Sequence, residues 1–201
     1  PADAERLAVA FGQSEGIAPD APDAAAKLRA LPARAVVGDL NLAKMENFFS
    51  PVTDGRSGVD VIAAHESGRA PVIPVMIGAT SADIGGPDGP MVAGARDLAA
   101  RFAGRGMPTY AYRFSYVANS VGGTNAYHAT DIPFFFDTQA IKYGAATTPR
   151  DNRMGDIMSG YLVNFVKTGD PNGVDLPQWP RYRADGGKQM DFATSGEAVV
   201  E

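Results

Sequence analysis

Residues 71–78 read PVIPVMIG, and residues 79–86, ATSADIGG, follow as a small, polar stretch. A near-continuous apolar run rich in β-branched residues suits a strand covered on both faces, as in a parallel sheet. The pattern therefore predicts a strand over 71–78, with Asp83 just past its carboxyl end, the edge where open α/β sheets gather ligands and reactive side chains. Residues 91–101 have helical character and are closed by Gly104 and Gly106. Residues 108–116, PTYAYRFSY, form the best strand in the chain by alternation and aromatic content. Strand, acid, helix and strand in that order make a βαβ unit whose two outgoing loops emerge at one sheet edge.

The second of those loops runs into GTNAYHATDIPFFF at 123–136, which carries His128, one of two histidines in 201 residues. Imidazole is the side chain whose ordinary pKa lies near neutrality, so a histidine held at such a rim is a natural proton shuttle. Asp83 and His128 come from distant positions to the same edge. A carboxylate there fixes the ring tautomer and stabilises the imidazolium that forms during catalysis. Asp131 reads as structural, capping the next segment or leaning on the loop backbone, and Phe134, Phe135 and Phe136 read as core. From 151 to 169 the apolar positions Met154, Ile157, Met158, Tyr161, Leu162, Phe165 and Val166 give the strongest helical periodicity in the chain, ending at Gly169. Residues 170–173, DPNG, are turn chemistry, 179–182, WPRY, an aromatic clasp, and 188–192 a candidate edge strand.

Upstream, residues 2–11 predict a helix that ends at Gly12. Residues 12–16, GQSEG, match the G-x-S-x-G pattern of a serine nucleophile elbow. That elbow needs a buried strand before the serine and a helix directly after it. Here the preceding residues look helical, and Pro19 and Pro22 remove backbone donors where the second helix should propagate. Ser14 is therefore taken as a decoy in a helix–helix turn. Asp20 and Asp23 before AAAKLRAL predict a capped helix stopped by Pro32. Residues 34–49 are weakly helical, 50–55 a turn-rich loop and 59–66 a short helix with a structural His65 near its end.

Composition narrows the function classes. The net charge is −5 without a Lys/Arg cluster, so no footprint for nucleic acid or an anionic membrane is visible. With no cysteine, the chain has no disulfide, thiol catalysis or thiolate metal site, and two distant histidines make a poor ligand set. No metal or organic cofactor is expected. No apolar run is long enough to span a bilayer, and the compartment stays open. Pro1 and the missing basic leader read as though the chain were cut from something longer.

Five landmarks carry a resemblance: PVTDG at 51–55, PVMIG at 74–78 leading to Ala82 and Asp83, YAYRF at 110–114, HATDI at 128–132, and NFVKTGDPN at 164–172 with LPQWP at 176–180 and Tyr182. Together they resemble the C-terminal part of the type-B carboxylesterases, the family of cholinesterases and p-nitrobenzyl-type esterases. The resemblance implies an α/β-hydrolase fold, here its C-terminal portion with an incomplete, mostly parallel sheet and flanking helices, and residues 1–201 as part of a single domain. It implies ester hydrolysis through a serine acyl-enzyme, with Asp83 as triad acid and His128 as triad base. The family more often has glutamate then glycine where this chain has Asp83 and Ile84, and the link from Asp83 to Arg96 is shorter than usual. The nucleophile and oxyanion loop would lie upstream, so the implied partner is the N-terminal segment of the same enzyme, with a small-molecule ester as substrate, and this chain alone should be inactive. The alternative implied by the superfamily is a non-catalytic adhesion or binding protein.

Overall fold

The computed structural model describes residues 2–38, 52–54, 56 and 58–201. The chain divides into two compact units, residues 1–71 and 72–201.

The first unit is helical: α1 (Ala2–Ser14), α2 (Ala24–Ala30), α3 (Ala33–Val37) and α4 (Val61–Glu66). Helix α1 runs past the expected stop, with Gly12 inside it, and Gly16 at φ +73° closes it by donating to Gln13. A glycine ends a helix where a left-handed backbone is needed, and that place is Gly16. Asp23 stands before α2 but makes no side-chain cap, and pairs instead with Lys27 at 3.1 Å. Asp60 does cap α4, accepting from the Ala63 amide at 2.9 Å. Of the weakly helical stretch at 34–49 only residues through 38 are described, and the rest lies outside the described residues. Within the loop at 50–55, residues 50, 51 and 55 also lie outside them; Asp54 accepts from the Arg56 and Gly58 amides at 2.8 Å each, an Asx-type turn.

The second unit holds a four-stranded sheet in the order β1 (Val75–Thr80), β2 (Thr109–Phe114), β3 (Met190–Phe192) and β4 (Ala198–Val200). Strands β1 and β2 are parallel with Val75 opposite Thr109 and Thr80 opposite Phe114, and helix α5 (Pro90–Gly104) crosses between them and packs on both. The expected βαβ unit is present. Its first strand begins at Val75, because Pro71 and Pro74 carry no N–H for a ladder and Val75 makes the first bond, to the Pro108 carbonyl at 2.8 Å. Among the described residues β1 is an edge strand, half-buried except at Ala79 and Thr80, which departs from the expected two-sided cover. Strand β3 departs in the other direction. It is interior, parallel to β2 and antiparallel to β4, and β4 lay outside the sequence expectation.

Helices α6 (Ile132–Phe135), α7 (Gln139–Tyr143) and α8 (Pro149–Thr168) follow the His128 loop. Helix α8 starts two residues before the expected 151 with Pro149 in its first turn, behind a capping box in which Thr148 accepts from the Asp151 amide and Asp151 from the Thr148 amide. It ends at Gly169 in the left-handed region, at φ +77°. Met154, Met158 and Tyr161 are fully buried, whereas Val166, expected on the same face, is 75% exposed. Trp179 is the centre of the core. Its ring meets Tyr110, Tyr112, Tyr161 and Phe192 edge-on at centroid distances of 5.1 to 6.4 Å, and its Nε1 donates to the Ala111 carbonyl at 3.0 Å. Asn172 holds the Trp179 backbone from both sides, accepting from its N–H at 2.7 Å and donating to its carbonyl at 3.0 Å.

A fully buried tryptophan that joins sheet to helix is worth much of a domain's margin. Trp179→Ala is expected to lower unfolding stability by about 3–5 kcal/mol, read as a fall in the urea midpoint. A loss below about 1 kcal/mol would contradict this placement of the core.

Candidate active site

Strand β1 ends at Thr80, and the chain turns at once, Asp83 donating its amide to the Thr80 carbonyl at 3.3 Å. The turn puts the Asp83 carboxylate back against the strand end, where it is 7% exposed. Oδ2 accepts from the Thr80 hydroxyl at 3.0 Å and the Thr80 amide at 3.4 Å, and Oδ1 accepts from the Ile84 amide at 2.7 Å. The loop continues through Gly85 and Gly89, whose backbones touch: a Cβ on Gly89 would lie 2.5 Å from the Gly85 carbonyl carbon. Only glycine fits that approach.

The loop after β2 arrives beside this turn. The Ala82 amide donates to the Ala126 carbonyl at 2.9 Å, and Ser81 donates to Phe114 at 2.8 Å, so the two strand ends are sewn together by backbone. Two residues past Ala126 the imidazole of His128 lies with Nδ1 2.7 Å from Asp83 Oδ1. The opposite nitrogen, Nε2, has no hydrogen bond with any described residue, and the side chain is 53% exposed. Ala129 follows at φ +64°, a left-handed backbone that costs a non-glycine residue about 1 kcal/mol. Thr130 closes the turn with its amide and hydroxyl on the Tyr127 carbonyl, the latter at 2.6 Å.

Burial disfavours the charged form of Asp83, but the bonds from Ile84, His128 and Thr80 together outweigh it and hold the carboxyl below its ordinary range. Asp83 is thus a carboxylate at neutral pH, an acceptor only, so Nδ1 carries the proton in their shared bond, and in the neutral form of the ring the lone pair falls to Nε2.

Asp131 lies at the start of α6 without capping it through its side chain; it accepts from the Tyr112 hydroxyl at 3.0 Å. Burial first, and then the neighbouring Asp83 charge, push the Asp131 carboxyl up against the lowering effect of that hydrogen bond. Tyr112 is also pushed up, by burial and by the charges of Asp131 and Asp83. Phe134 is buried and Phe135 partly so, while Phe136, expected in the core, is 66% exposed at the end of α6.

Asp83 and His128, singled out from sequence, are brought together. Ser14 stands in the other unit, in the last turn of α1, with its hydroxyl donated to the Phe11 carbonyl at 2.7 Å. Sequence reasoning missed Thr80 and Tyr112. Thr80 left a local signal, a hydroxyl three positions before the acid at a strand end, whereas Tyr112 left only the strand alternation around it. No group of three His, Cys, Asp or Glu side chains suited to a metal ion occurs among the described residues, and no helix among them is long and apolar enough to cross a membrane.

The bonds on Asp83 fix the sign of two responses. A carboxyl depressed by folding contributes stability that is present above its unfolded pKa of about 4 and is lost as pH falls through the folded value. Thr80→Val removes one of the bonds that depress it, so the Asp83 titration midpoint, followed by carboxyl ¹³C NMR, is expected to rise. Acid unfolding is expected at higher pH in the same variant. An unchanged or lowered midpoint would contradict the role given to Thr80.

Comparison with known proteins places the chain in a family. Residues 87–200 match the family described as the Carboxylesterase family. Carboxylesterase 1C of Rattus norvegicus is 31% identical over 98 residues, 46% of this chain and 18% of the relative's length. Carboxylesterase 4A of Bos taurus is 33% identical over 84 residues, 40% of this chain and 15% of its own. Among solved structures, a PNB esterase superposes with a TM-score of 0.72 at 18% identity, covering 98% of this chain and 50% of the esterase chain, which shows the α/β-hydrolase fold. The chain thus spans less than a fifth of the curated relatives in the matched regions and half of the solved esterase. With the family match extending over more than half of its residues, the chain belongs to the carboxylesterase family.

Proposed function

We propose that this chain supplies the histidine base and its orienting carboxylate to a carboxylic ester hydrolase that works through a serine acyl-enzyme. The observation that carries the proposal is the 2.7 Å bond from His128 Nδ1 to a buried, ionised Asp83, with Nε2 unbonded among the described residues on a half-exposed ring. In that tautomer Nε2 takes the proton of a serine hydroxyl as it attacks the ester carbonyl. It then returns the proton to the departing alcohol, and a water repeats the sequence to release the acid. Asp83 stays ionised throughout and balances the imidazolium charge.

The serine is assigned to polypeptide outside these 201 residues, and residues 1–201 to the C-terminal part of one α/β-hydrolase domain. Supporting this, the solved esterase is twice as long as the portion matched, and Ser14 lies in the last turn of a helix with its hydroxyl donated to the Phe11 carbonyl. A nucleophile elbow places its serine between a strand and a helix, which α1 does not provide. The implied partner is therefore the N-terminal segment of the same esterase, with its oxyanion amides, and the implied substrate is a small-molecule ester. The 201-residue chain alone is expected to show no turnover.

The test is hydrolysis of p-nitrophenyl acetate by the full-length esterase containing this chain. His128→Gln and Asp83→Asn are each expected to lower kcat by about 10⁴ or more, while Ser14→Ala leaves kcat unchanged. Full activity in the His128 variant, or its loss in the Ser14 variant, would overturn the assignment. No turnover by the unsubstituted esterase would favour a binding protein built on the same fold.

A further inference from the structure

Two ties bracket His128. The upstream tie is backbone, Ala82 to Ala126, and joins the loop to the Asp83 turn. The downstream tie is the Tyr112 hydroxyl donated to Asp131 Oδ2 at 3.0 Å, which joins the loop to the middle of β2. Between them lie only four residues, 127–130, including Ala129 in its left-handed conformation, so the imidazole hangs on a short bridge fixed at both ends. Nothing else bonds the His128 ring to the protein except Asp83 among the described residues.

The downstream tie is built into the sheet. Tyr112 faces Gly78 in the β1–β2 register, and a Cβ on Gly78 would lie 2.5 Å from the Tyr112 ring. The missing side chain lets the phenol lie close over β1 and reach toward the rim. Phe135 meets the same ring edge-on at 5.2 Å, and Trp179 meets it at 6.4 Å, so the ring is held by packing before its hydroxyl is used. Asp131 makes no side-chain cap on α6, and its long-range bond is the one from Tyr112. That partner stands 19 residues away, on the strand beneath the loop.

We propose that Tyr112 and Asp131 are positioning residues: their hydrogen bond clamps the His128 turn to β2 and thereby keeps Nδ1 on Asp83. Either residue acts through the histidine and neither is asked to touch substrate. The clamp extends the proposed function, but its first test is independent of that reading, because the Nδ1 bond exists in the chain with or without turnover.

The experiment follows the hydrogen-bonded His128 Nδ1 proton by low-field ¹H NMR in the 201-residue chain, with thermal unfolding measured alongside. In Tyr112→Phe, which keeps the ring packing, and in Asp131→Ala, the resonance is expected to move upfield or broaden beyond detection. Asp131→Asn retains an oxygen for the phenol and is expected to keep the resonance near its original position. An unchanged resonance in both Tyr112→Phe and Asp131→Ala would overturn the proposal, as would its loss in Asp131→Asn to the same extent as in Asp131→Ala. If one variant fails to fold, the other carries the test. In the full-length esterase, Tyr112→Phe is expected to lower kcat about tenfold with KM unchanged, as misplacement of a reacting group does. A raised KM with kcat intact would assign the pair to substrate binding and overturn the clamp. Failure of the NMR test alone removes the clamp, and failure of turnover in the unsubstituted esterase alone removes the esterase reading.

Discussion

The parallel pairing of β1 with β2 is the constraint on which the rest depends. Antiparallel neighbours would send the chain out at opposite ends, whereas a parallel pair linked through a crossover helix delivers both outgoing loops to one edge. The register puts Thr80 opposite Phe114, so the turn bearing Asp83 and the loop bearing His128 leave the sheet side by side. The Ala82–Ala126 and Ser81–Phe114 bonds then convert nearness into fixed geometry. A carboxylate and an imidazole 45 positions apart meet at 2.7 Å because the two strands beneath them are in step.

The second of those strands is anchored by the aromatic packing around Trp179. Tyr110, Tyr112, Phe192 and Tyr161 converge on it from the sheet and from α8, and its indole N–H is spent on the β2 backbone. Large aromatic surfaces removed from water supply the driving force, and their edge-on geometry adds about 0.5–1.5 kcal/mol per pair beyond area alone. The family motif at 164–172 serves this cluster: Gly169 ends α8, and Asn172 clasps the Trp179 backbone. A stretch far from Asp83 and His128 in sequence thus supports the sheet on which they stand.

Much of this was legible in the residues, for physical reasons. The alternation in β2, the apolar run of β1 and the helical pattern between them expose the βαβ unit, and a carboxylate after one strand with a histidine after the next points to the rim. The family landmarks added the roles. Boundaries failed where single backbone groups decide: Pro74 delays β1 to Val75, and Gly16 rather than Gly12 closes α1. The three-residue strands β3 and β4 have too few positions to show a period, so β3 read as an edge and β4 did not appear at all. Phe136, read inward from its aromatic run, and Val166, read inward from helical periodicity, are both exposed. The Tyr112–Asp131 bond spans 19 residues and depends on the β1–β2 register, which no local pattern encodes.

In the proposed reading the site is half of a reaction machine, with a histidine base held by a carboxylate and the nucleophile assigned elsewhere. The most direct measurement is to treat the full-length esterase containing this chain with a fluorophosphonate and locate the adduct by peptide mass spectrometry. A single modified serine outside these 201 residues is expected, with labelling lost when His128 is replaced by glutamine. An adduct on Ser14, or on any other serine within the 201 residues, would contradict it.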